Sequence, residues 1–172
     1  IQLDAVNRKI YACYQDGSAT PNGAITGIRV YSYDQAGALT DNGFLTTAVT
    51  DNRPDESGFK VLDPGDFALD ATIGRLFYTE NIPGLVQGIF RLDLANPNSA
   101  TQLVSQAQFP DSGSGGYIQD IEVDTTNDLV YFTTASQHPS PDGTYSAGQN
   151  ALWYIDEGAT GGTATSSTIA SA

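Results

Sequence analysis

The chain has 172 residues, 40% hydrophobic and 16% charged, which is enough length and apolar content for one domain with a sizeable core and excludes a disordered polyampholyte. Seven Lys and Arg stand against 20 Asp and Glu, a formal net charge of −13, which argues against a nucleic-acid partner because phosphate backbones need a basic surface. A single cysteine, Cys13, rules out an internal disulfide, and no apolar run approaches the roughly 20 residues of a membrane-spanning helix.

Residues 1–4 (IQLD) read as a first strand, 6–9 as a turn and 10–14 (IYACY) as a second strand. Cys13, inside that apolar run, is expected to be a buried small hydrophobe. Residues 15–23 (QDGSATPNG) are a loop by composition. Residues 25–34 give a third strand, with Ile28 and Val30 on one side and Arg29, Tyr31 and Tyr33 on the other. Residues 39–50 supply a weaker fourth strand, and 51–65, with Pro54 and Pro64, a long connection.

The same order then returns. Strands are expected from 66 or 67 to 70, at 75–80, 88–94 and 100–108, and again at 117–124, 129–134, 151–156 and 163–169. Residues 1–13 (IQLDAVNRKIYAC), 67–79 (FALDATIGRLFYT) and 121–133 (IEVDTTNDLVYFT) fall in register. Asp34, Asp93 and Asp156 close the third strands and form a second recurring set. No segment keeps a helical period. The reading is therefore all-β: a β-propeller segment of about three four-stranded antiparallel blades, with repeats at 1–65, 66–116 and 117–172. Propellers typically close with about four to eight blades, so three need further blades of the same polypeptide or a second copy. With no initiator Met and an opening directly in a strand, the chain reads as a piece of a longer polypeptide.

The motifs LD-x5-IY, LD-x5-LFYTE with GIFRLDL, and VD-x5-VYFTT with ALWYID resemble the YWTD and NHL classes of β-propeller. FYTE and YFTT sit where YWTD would fall, without its Trp and with Glu80 or Thr134 in place of its Asp. The acidic, low-cysteine, Gly- and Thr-rich style is similar to propeller segments of large secreted bacterial proteins with hemolysin-type calcium-binding repeats. That resemblance implies a fold and an extracellular or cell-surface setting, and leaves the function open.

Asp4, Asp70 and Asp124 each end a first strand before a tight turn. A carboxylate there accepts backbone N–H groups of the turn, and repetition in every unit favours that structural role over chemistry. Asp66 and Asp120 lie four residues earlier. If first strands are innermost, both open at the channel mouth on adjacent blades. With Glu122, one step along the strand at the position matching Gln2, they are the candidate metal set for Ca²⁺, which takes about six to eight oxygens. The plain alternative is a solvated pair of acids in an acidic protein. His138 is the only histidine, in the loop SQHPSPDG, too little for a zinc site, and no G-x-S-x-G elbow supports a triad. Arg29, Arg91 and Trp153, on third strands, are expected to pack or pair between blades.

The leading expectation is a non-catalytic module of a larger secreted or surface protein, acting in adhesion, matrix or assembly through protein or glycan contacts. A metal-dependent lactonase-like propeller hydrolase and a self-assembling structural subunit are the alternatives.

Overall fold

The structure, a computed structural model, describes residues 1–16, 25–45, 64–81, 87–105, 116–136, 151–158 and 165–167. They form twelve strands and, among the described residues, no helix. Strands β1 (Gln2–Asp4), β2 (Lys9–Asp16), β3 (Ile25–Tyr33) and β4 (Leu39–Phe44) make sheet I. Sheet II holds β5 (Pro64–Asp70), β6 (Arg75–Asn81), β7 (Gln87–Asp93) and β8 (Ala100–Ser105). Sheet III holds β9 (Gly116–Asp124), β10 (Leu129–Ser136), β11 (Ala151–Asp156) and β12 (Thr165–Ser167). Every sheet is an antiparallel meander in chain order. The expected strands 46–50, 106–108, 163–164 and 168–169 lie outside the described residues, as does His138.

Antiparallel pairing follows from the short polar turns after the first strands, and each turn is built alike. Asp4 accepts the N–H of Asn7 at 2.9 Å and its side-chain amide at 2.8 Å. Asp70 accepts Thr72 N–H at 2.7 Å, and Asp124 accepts Thr126 N–H at 2.9 Å and the Asn127 amide at 2.7 Å. Those bonds favour the carboxylate and hold the Asp124 carboxyl below its usual range, the Asn127 side chain being the larger cause. The last turn residue is left-handed each time, with φ of 52° at Arg8, 68° at Gly74 and 55° at Asp128. Its carbonyl then accepts the N–H of Tyr33, the last residue of β3, or of Leu94 and Glu157 just past β7 and β11. The recurring Asp is thus a turn former, as its sequence context predicts.

Strand alternation gives each sheet two faces, and the sheets stack in order. The face carrying Leu76 and Leu92 in sheet II, or Val130 and Ile155 in sheet III, is here termed leading; the opposite face is trailing. Phe67, Leu76, Tyr78, Phe90 and Leu92 on the leading face of sheet II bury against Tyr11, Ile28 and Val30 on the trailing face of sheet I. Ile121, Val130, Phe132, Trp153 and Ile155 of sheet III bury against Ala68, Phe77, Ile89 and Val104 of sheet II. Stacked ring pairs occupy equivalent places, Tyr78 with Phe90 at 5.4 Å and Phe132 with Trp153 at 6.4 Å. Each fully buried side chain of this size contributes roughly 1.5–3 kcal/mol, so the two seams are the core.

Three expectations need correction. Cys13 is exposed, although it stands on the trailing face two residues past buried Tyr11. Asp34 is out of register with its supposed relatives. Asp93 faces Arg75 and Asp156 faces Leu129, but the residue facing Lys9 is Ser32, so Asp34 falls two positions later and bonds its own turn at Ala36 and Ala38. Arg29 does not pair between sheets. Its guanidinium lies over Tyr14 and Phe44 and meets Asp41 at 2.7 Å, all within sheet I. Arg91 and Trp153 do act at the seam as expected.

Candidate functional site

The first strands bring two acids, Asp66 and Asp120, together across a seam. Strand β5 lies between β1 and β9. At the β1 side, Gln2 donates its amide to the Phe67 carbonyl at 3.1 Å. At the β9 side, the Ile121 N–H is shared between Asp66 Oδ2 and Asp120 Oδ1, both at 3.1 Å. A bulge sets this geometry. Ile118 faces Thr134 and Asp120 faces Thr133, which leaves Gln119 without a partner; β5 shifts register at the same place, between Pro64 and Phe67. The extra residue lets Ile118 and Ile121 both face the core and re-aims Asp120, which lies between them. Thr79 fixes Asp66 from behind, accepting its N–H at 2.9 Å.

Asp66 is half-buried and Asp120 exposed. Burial raises the Asp66 pKa, the hydrogen bond that its protonated carboxyl donates to Asp120 and the Asp120 charge raise it further, and the N–H groups of Phe67 and Ile121 oppose the shift. The proton that Asp66 retains is the one in its hydrogen bond to Asp120. Two members of the sequence-predicted set therefore meet as a pair. Glu122 is exposed on the same face of β9, opposite Tyr131, and does not join them; among the described residues no group of three or more His, Cys, Asp or Glu is disposed to hold a metal ion.

A second acid lies at the far end of the same seam and was not singled out in the sequence. Glu157 is 1% exposed, and among the described residues neither carboxylate oxygen has a hydrogen-bond partner. Its nearest cation is Arg75, Nη1 at 4.0 Å, while Arg91 Nη1 donates to its backbone carbonyl at 2.9 Å. Burial pushes its pKa up to about 7, with the charges of Asp70, Asp128 and Asp156 adding and Arg75 opposing. The signal was available: Glu157 follows the third strand at the place of half-buried Leu94, whose N–H makes the equivalent turn bond. In the sequence, Glu157 next to Gly158 reads only as a polar turn.

No protein-family model matches the chain, and no curated protein is significantly similar to it.

Proposed function

We propose that the chain is a β-propeller segment of a larger secreted or surface protein, non-catalytic, acting in adhesion or assembly through protein or glycan contacts. The observation that supports it most is the ordered stack: the leading face of one sheet covers the trailing face of the one before, in chain order, with the first strands adjacent. Repeated blades arranged about an axis have this order. The recurring acids Asp4, Asp70 and Asp124 are each occupied by their own turns, which supports a scaffold role for them.

The proposal includes calcium at Asp66 and Asp120, whose facing carboxylates would exchange the proton that Asp66 retains for the ion, with Glu122 on the same face of β9 as the nearest further carboxylate along the strand. The test is thermal melting in calcium and in chelator, with a parallel panel of lactones. The expected result is a higher Tm in calcium, lost in Asp66→Asn, and no turnover. Lactone hydrolysis abolished by Asp120→Ala would overturn the non-catalytic reading. An unchanged Tm would remove calcium from it.

A further inference from the structure

Among the described residues both ends of the three-sheet stack are open, and they are open on opposite faces. On the leading face of sheet I, Leu3, Ile10, Ala12, Arg29 and Tyr31 hold the places of Leu69, Leu76, Tyr78, Phe90 and Leu92 in sheet II, as the strand pairings establish. In sheet II four of those five are buried; in sheet I Leu3 is 59% exposed and the rest half-buried. On the trailing face of sheet III, Glu122, Tyr131 and Tyr154 form the row that Ala68, Phe77 and Arg91 form in sheet II. Phe77 is fully buried there, whereas Tyr131 is half-buried and Glu122 exposed.

From this we infer that the leading face of sheet I docks on the trailing face of sheet III of a second copy of the chain, head to tail. The occupant follows from continuity with the two seams already present, since each sheet covers the trailing face of its predecessor and only sheet I lacks one. Charge makes the match specific. Sheet I departs from sheets II and III by placing Arg29 where they place Phe90 and Trp153; its Nη2 meets Asp41, and its Nε is buried with no hydrogen-bond partner among the described residues. Sheet III departs from sheet II by placing Glu122 where it places Ala68. The added cation and the added carboxylate thus fall on the two faces that would meet. Asp120, the equivalent of Asp66, would accept the Ile1 N–H as Asp66 accepts that of Ile121. A head-to-tail contact closes into a ring or runs on as a filament, and two copies of three sheets fall within the roughly four to eight blades that close. This inference rests on the propeller reading and names the partner within it.

Sedimentation equilibrium of the chain tests it, using single variants at exposed positions on each face, with far-ultraviolet circular dichroism to check their sheets. The expected mass is twice the 18.1 kDa of one chain. Leu3→Glu and Glu122→Arg should each sediment at the mass of one chain. Mixed together, they should recover a two-chain species, because one intact leading face and one intact trailing face remain. A one-chain mass for the unaltered protein overturns the inference. So does a Glu122→Arg variant that still pairs alone, which would place like faces together. Neither result touches the non-catalytic reading, which lactone turnover would defeat whatever the mass.

Discussion

Leu76 in sheet II and Ile10 in sheet I hold the same place in their sheets, each facing the second residue of an equivalent strand pair. Leu76 is fully buried and Ile10 is half-exposed. The two side chains have the same hydrophobicity and the same backbone setting, so the difference comes from what lies in front of them. Sheet II has the Tyr11, Ile28 and Val30 face to cover it; sheet I has nothing among the described residues. Composition follows this difference. The covered sheets place a stacked aromatic pair at the centre of the leading face, and sheet I places Ala12 and Arg29 there. Arg29 puts a cation where the relatives of sheet I place an aromatic ring, so its leading face differs from theirs in composition as well as in exposure.

Truncation at the trailing faces should show the largest contrast. Phe77→Ala removes a fully buried ring from the seam between sheets II and III and should cost about 3–5 kcal/mol in urea unfolding. Tyr131→Ala, at the equivalent place in sheet III, should cost clearly less in dilute solution. Equal costs would erase the distinction between covered and open faces.

The two seams also differ in their polar groups, and pH should expose this. The seam between sheets I and II has Gln2 bonded to Phe67, whereas the other holds Glu157 at one end and the Asp66–Asp120 pair at the other. The Glu157 pKa is raised from 4.5 to about 7, so the folded chain keeps a proton that the unfolded chain has lost in that window. Stability from this group is present below pH 4.5 and is lost as pH rises through 7. The loss is at most roughly 3 kcal/mol, and Glu157→Gln should abolish most of it. Unfolding at pH 5 and pH 8 measures both. A variant with the slope of the unaltered protein would show that Glu157 is ionised without penalty.

The smallest effect lies in the turns, where the three sheets are alike. Arg8 has the left-handed backbone that Gly74 adopts freely. Arg8→Gly should stabilise by about 0.5–1 kcal/mol, read as a higher denaturation midpoint. A loss of stability would mean that the Arg8 side chain contributes more than its backbone costs.

The sequence made the all-β class, the three units and the turn role of Asp4, Asp70 and Asp124 legible, because alternation and an Asp before a short turn are local features. Asp66 and Asp120 both reach the Ile121 N–H, a proximity that equivalent positions on neighbouring first strands make legible. The sequence did not reveal the bulge at Gln119, because one phase break in so short an alternation is not distinguishable from ordinary variation until the partner strand is known. Cys13 and Asp34 misled for a related reason: alternation assigns a face but says neither how far cover extends nor where a strand pair is offset. Glu157 escaped because its burial comes from sheet II, far away in sequence, and its carboxyl sits at a position whose relative is Leu94.

The most direct measurement is urea unfolding of Leu76→Ala and Ile10→Ala across a range of protein concentrations. Leu76→Ala should cost about 2–5 kcal/mol at every concentration, and Ile10→Ala about 1 kcal/mol or less in dilute solution, rising as copies associate. Equal costs at both positions, unchanged by concentration, would contradict an open leading face on sheet I.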